Sequence, residues 1–166
     1  MVCKCRVPAE DYPENAEWGP LFWKLLHGLA ELSGKQTNTN MKTDEVRLWS
    51  LILLHLKNTL PCDICRAHYS DWLIDHPPEM ISKLDYSELG SWIKTYLWTL
   101  HNIINEGNDR EEFDWETLTE TYKNVNLTDT WKALQPVMKK AVSLNGVTLL
   151  SWTRWLANIR ILQGMY

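Results

Sequence analysis

Leu48-Trp-Ser-Leu-Ile-Leu-Leu-His-Leu56, followed closely by Thr59-Leu-Pro-Cys62-Asp-Ile-Cys65-Arg-Ala-His68, is the stretch on which the fold turns. The apolar run reads as a buried helix. Pro61 stops it and suits the start of the next one, because its fixed φ fits the first turn and its missing N–H costs nothing there. Cys62 then falls at or near the new helix N-terminus, with Cys65 one turn further on the same face. Unpaired backbone N–H groups and the helix dipole favour a thiolate at that end. On spacing alone the pair is a cycling disulfide, half of a zinc site completed by His68, Cys3 or Cys5, or two inert thiols.

On either side of this stretch the apolar residues keep a helical period. Upstream, Trp18, Leu21, Phe22, Leu25, Leu26 and Leu29 predict a helix over Glu17–Leu32, with Pro20 in its first turn. A polar loop at 34–40 follows, and Thr43 or Asp44 is expected to cap a second helix running to Leu60. A third helix runs from Cys62 to just before Pro77. A fourth spans Ser87–Glu106, with Leu89, Trp92, Ile93, Tyr96, Leu97, Leu100 and Ile104 on one stripe. No alternating strand pattern is visible. The fold class expected is therefore all-α: a four-helix bundle, with a short fifth helix over Phe113–Tyr122. Beyond it, Thr128–Ser143 reads as helical with an interruption at Pro136, and Val147–Leu162 as an amphipathic helix whose face needs a partner. Three segments are expected: an N-terminal arm (1–16), the helical core (17–122) and a helical C-terminal extension (123–166).

The 166 residues suffice for one domain with a real core, and a formal net charge of −4 without a basic block argues against nucleic acid as partner. The four cysteines fall into two close pairs, Cys3/Cys5 and Cys62/Cys65, the pattern of redox or metal work rather than a disulfide framework. No signal peptide and no membrane-spanning run is read, so a cytoplasmic protein is expected, where cycling disulfides are commoner than lasting ones. Ten tryptophans are mostly core material, with a few available to wall a flat aromatic cofactor.

Two further constellations stand out. Trp23 and His27 share a helix face, with Gly19 one turn earlier, where a glycine suggests close approach by something; a core Trp beside a satisfied His is the ordinary alternative. His101 and Asn105 share a face near the end of the fourth helix, with Asn102 beside them. These groups suit hydrogen bonding to a purine and a ribose, unless they simply fray a helix end. His55 and His76 have no such pattern and read as structural or solvated.

Taken in order, Gly19, Trp23 and His27, then Pro61-Cys62-Asp-Ile-Cys65, then His101-Asn102-Ile-Ile-Asn105, with Phe113-Asp-Trp after them, resemble the Erv/Alr family of FAD-linked sulfhydryl oxidases over residues 17–122. The resemblance implies FAD at the mouth of a helical bundle and a homodimer through the first helices. It implies that Trp23, His27, His101, Asn102 and Asn105 line the FAD, with Gly19 and His68 in the same candidate set. Cys65 would lie against the isoalloxazine and Cys62 would face outward to exchange with a substrate thiol. A thiol-containing protein or redox relay would be the substrate, O2 the final acceptor, and Cys3/Cys5 a shuttle on the arm; no metal is assigned.

The chain departs from the family pattern in several places. Glu31-Leu32-Ser33 stands where Tyr-Pro is common, and Leu97-Trp98-Thr99 where many members carry a cysteine. Glu106-Gly107-Asn108 replaces the basic residue expected after the last Asn, leaving Arg110 and Lys94 as substitutes for a phosphate contact. Residues 123–166 have no counterpart in the resemblance. A lean member of this kind resembles those of large cytoplasmic DNA viruses. The rival reading from another class is a zinc-stapled helical adaptor without catalysis; a thioredoxin-like fold fails for want of strands.

Overall fold

Glu14 starts the first helix. Its carboxylate accepts from the backbone of Glu17, and the Glu17 carboxylate accepts the Glu14 N–H at 2.7 Å, so a capping box begins α1 at Asn15 (Asn15–Leu32). This is two residues earlier than the apolar pattern predicts, and it moves the exposed Pro20 into the second turn. The computed structural model describes residues 11–166. Helix α2, Thr39–Thr59, also starts early: Asn38 accepts from the N–H groups of Asn40 and Met41, so the cap is Asn38 and not Thr43 or Asp44. Helix α3 is Asp63–Asp75. Two 3-10 turns, Pro78–Lys83 and Tyr86–Glu88, lead into α4, Leu89–Gly107. Asp114 caps α5, Trp115–Tyr122; Asn126 caps α6, Leu127–Ser143; Thr148 caps α7, Leu149–Gly164. No strand occurs among the described residues.

The interruption expected at Pro136 is absent. Helix α6 runs through it, with Pro136 on the exposed face, where solvent serves the carbonyl that proline leaves without a partner.

Helix α1 packs against α4, α5 and α6, while α2 packs against α3, the first 3-10 turn and α7. The two most extensive pairings are α2 with α7 and α1 with α6, so the C-terminal extension supplies much of the covering of the first two helices. One buried cluster runs through all of them except α5, including Leu25, Leu29, Trp49, Ile52, Leu97, Met138, Trp155 and Ile159. Gly28 lets α1 meet the start of α6 closely; a Cβ there would lie 2.9 Å from Leu127 Cδ2 and 3.2 Å from Val125 Cβ.

The chain end is fastened by a buried carboxylate. Glu45 accepts from the Gly34 N–H at 3.1 Å, from the Tyr166 hydroxyl at 2.6 Å and from the Tyr86 hydroxyl. Three donors offset the desolvation of a group that is costly to bury alone. Burial and the Glu45 carboxylate together push the Tyr86 hydroxyl up to about 12.

Candidate functional site

Pro61 lies in the α2–α3 connection, ahead of α3 rather than in its first turn, and Cys62 becomes the N-cap of α3. Its Sγ accepts the Cys65 N–H at 3.1 Å. Cys62 and Cys65 are joined as a disulfide, with Cα atoms 5.1 Å apart. The Cys65 N–H in the first turn of α3 therefore points at the sulfur whose thiolate it would stabilise. Asn15, the first residue of α1, places its amide Nδ2 3.8 Å from Cys65 Sγ. Cys65 is half-buried.

Cys62 does not face outward; it is 0% exposed. Arg66 beside the motif, and two groups far from it in sequence, hold the turn that carries it. The Tyr12 hydroxyl donates to Pro61 O at 2.6 Å, and Arg66 Nη1 donates both to Leu60 O at 2.6 Å and to Gly146 O at 2.9 Å. Tyr12, Arg66 and the α6–α7 connection are thus tied to the turn. Cys3 and Cys5 lie outside the described residues.

The second constellation forms a stack of rings. Trp23 lies parallel to His101 with centroids 4.1 Å apart, His27 stacks on Tyr122 at 4.5 Å, and Phe113 stacks on His101 at 5.4 Å. His27 is 1% exposed; its Nε2 lies 3.4 Å from His101 Nδ1, and its Nδ1 is buried without a hydrogen-bond partner. Burial, and then the neighbouring His101, lower the His27 pKa to about 3. Burial, and then the Arg110 charge, lower that of His101 to about 4. Both rings are therefore neutral at pH 7 and flat, each with one N–H donor and one acceptor nitrogen.

The two asparagines are already engaged. Asn102 accepts the Phe113 N–H at 2.8 Å and donates to Phe113 O at 3.1 Å, while Asn105 donates to Glu111 O at 3.3 Å. They position the segment that brings Phe113 to His101. Gly19 has no protein atom within 4 Å of where a Cβ would sit. His68 is exposed on α3, and His76, also exposed, stacks on Trp72 at 4.2 Å. Lys94 is committed to Glu31 at 2.6 Å, so of the two substitutes for a phosphate contact Arg110 is the exposed one.

Two clefts line α4 and share Thr99. One, about 320 Å3, is walled by Trp72, His76, Met80, Trp92 and Tyr96; the other, about 450 Å3, by Trp98, Asn102, Ile103 and Arg110. The Trp72 indole N–H is buried without a partner beside the first. The first cleft offers aromatic faces and an unpaired indole N–H, and the second a guanidinium, groups that suit a flat, anionic dinucleotide, while Trp23, His27 and His101 line neither cleft. Among the described residues no group of three or more His, Cys, Asp and Glu side chains is placed to hold a metal ion. Nor is any helix among them long and apolar enough to cross a membrane.

Asn15, Tyr12 and Arg66 are the functional neighbours that the motif reading misses. Arg66 adjoins the motif and carries the one signal available, a charge next to Cys65; nothing in the sequence links Asn15 or Tyr12 to residues about 50 positions away.

Comparison with known proteins places residues 20–123 within the Erv1/Alr family profile. A protein of African swine fever virus named FAD-linked sulfhydryl oxidase is 26% identical over 108 residues, covering 65% of this chain and 78% of that relative. A counterpart from a second isolate of the virus is 25% identical over the same length. No solved structure is significantly similar.

Proposed function

Because the chain belongs to the Erv1/Alr family, we propose that it is an FAD-linked thiol oxidase, forming disulfides in thiol substrates with O2 as oxidant. The observation that carries this is the Cys62–Cys65 disulfide at the N-terminus of α3, inside the residues matched to the family. Bound FAD supplies the two-electron acceptor and, with O2, yields hydrogen peroxide.

The chain's own residues perform the exchange. A substrate thiolate attacks Cys62 Sγ, forming a mixed disulfide as the Cys62–Cys65 bond breaks, and Cys65 leaves as thiolate with the electron pair. The Asn15 amide, at 3.8 Å, donates to that departing sulfur. The second substrate thiol, its proton lost to solvent, attacks the substrate sulfur of the mixed disulfide. Cys62 is released as a thiolate facing the Cys65 N–H. The substrate is then a disulfide and the pair a dithiol, two electrons richer.

Trp23, His27 and His101 are the proposed aromatic wall for FAD, supported by their neutral, stacked rings. Arg110 is the proposed phosphate contact, supported by its place in the second cleft. Asn102 and Asn105 act by holding Phe113 and Glu111 in place. Gly19 and His68 stay in the set by their motif positions alone. Cys3 and Cys5 are proposed as a shuttle between substrate and Cys62; Cys3→Ser with Cys5→Ser should slow turnover of a protein substrate while sparing dithiothreitol.

The homodimer implied through the first helices meets an obstacle, since α6 lies along α1 and α7 along α2. We read the extension, residues 123–166, as occupying within one chain the place a second copy would take. For the activity itself, Cys62→Ser and Cys65→Ser should each abolish thiol-dependent O2 consumption. Full activity in either variant overturns the assignment.

A further inference from the structure

The exchange proposed above needs a sulfur that a substrate can reach, yet Cys62 is fully buried while Cys65 is only half-buried. Thiol–disulfide exchange depends on access to the attacked sulfur as well as on thiolate chemistry. The connection between α6 and α7 is tied to the turn that carries Cys62. At its tip Asn145 takes a positive φ of 60°, and Gly146 and Val147 turn inward and are buried. Gly146 sits so tightly on the ring of Tyr12 that a Cβ there would overlap it. The same Tyr12 holds Pro61 O through its hydroxyl. One guanidinium completes the closure: Arg66 Nη1 donates to Leu60 O and Pro61 O on the turn, and to Gly146 O on the loop, which lies 80 residues away in sequence.

We propose that the α6–α7 loop is an access element for Cys62, clamped by Arg66 and Tyr12, which selects for thiols carried on an extended segment that can enter beneath it. This rests on Cys62 being the exchanging cysteine. Arg66 is a positioning residue here: it touches carbonyls, not sulfur. As the loop lifts, the entering thiolate bonds to Cys62 Sγ and Cys65 Sγ takes the electron pair of the broken disulfide.

The test uses the full-length protein, without air. Dithiothreitol is the dithiol reductant, and the rate at which it opens Cys62–Cys65 is read by quenching with an alkylating agent and weighing the Cys62/Cys65 peptide. Arg66→Gln and Tyr12→Phe each remove clamp hydrogen bonds and nearly preserve size. Each should speed reduction about two- to tenfold, the factor corresponding to one net hydrogen bond. Tyr166→Phe loosens the far end of α7 and leaves the clamp intact, so its rate should match the parent. Unchanged rates in both clamp variants, or equal acceleration in Tyr166→Phe, would overturn the proposal. Loss of thiol-dependent O2 consumption in the Cys→Ser variants is read separately, so a failure of the access element is distinguished from a failure of the oxidase assignment.

Discussion

Trp155 is the residue whose loss should reveal how far the C-terminal extension belongs to the core. It is 0% exposed, its ring lies 5.2 Å from Phe22 and 5.9 Å from Trp152, and its indole N–H donates to Ile52 O at 3.1 Å. It therefore joins α7 to both α1 and α2. Truncating a buried aromatic to alanine costs about 3–5 kcal/mol, from lost transfer free energy and the cavity left behind. A domain of this size holds roughly 5–15 kcal/mol in all. Each kcal/mol is worth about 2–4 °C in Tm at this length, so a loss of about 4 kcal/mol lowers Tm by about 8–16 °C. Trp155→Ala should be compared with the parent by urea denaturation and thermal melting, at one fixed excess of FAD, because ligand binding to the native state adds to apparent stability. Leu149→Ala, at a position 64% exposed on the same helix, is the control and should stay within about 0.5 kcal/mol. If Trp155→Ala costs less than about 1 kcal/mol, α7 is not part of the cooperative core and the packing argument fails.

Acid should weaken the fold through His27 and His101. Their pKa values are depressed in the folded state, to about 3 and about 4, so as pH falls below the ordinary 6.5 the unfolded chain binds protons first and stability drops. At pH 5 the loss from His27 is about 2 kcal/mol, with a smaller share from the less buried His101; urea midpoints at pH 7 and pH 5 measure it, and an undiminished pH slope in His27→Phe would refute the assignment. Gly28→Val drives side-chain atoms into Leu127 and Val125 and should cost about 1–3 kcal/mol. Gly19→Ala, in open space, should leave the melting temperature level or raise it, and retention of FAD by that variant would remove Gly19 from the cofactor set. Light scattering should give the mass of one chain, 19.5 kDa, and a mass twice that would place a dimer contact on another surface.

The helices were legible because apolar residues at helical spacing are a local signal. Their ends were less so, since caps such as Asn38 and Glu14 act from polar stretches outside the apolar period. The face of α7 announced that it needed a partner, and only the structure shows that the partner is α2. The cysteine pair was legible down to its place at a helix N-terminus. Its surroundings were not: Tyr12 on Pro61, Asn15 on Cys65 and Arg66 on Gly146 join residues 49, 50 and 80 positions apart, beyond any periodicity. Asn102 and Asn105 teach the complementary lesson. Residue type advertises donors and acceptors, but here the backbone of 111–113 takes them, and their contribution is to place Phe113.

The most direct test of the oxidase assignment is the visible absorption spectrum of the purified protein, recorded before and after dithiothreitol and again after exposure to air. The account predicts yellow flavin bands that bleach with the dithiol and return in air. A protein that holds no flavin, or whose flavin stays oxidised in dithiothreitol, would contradict it.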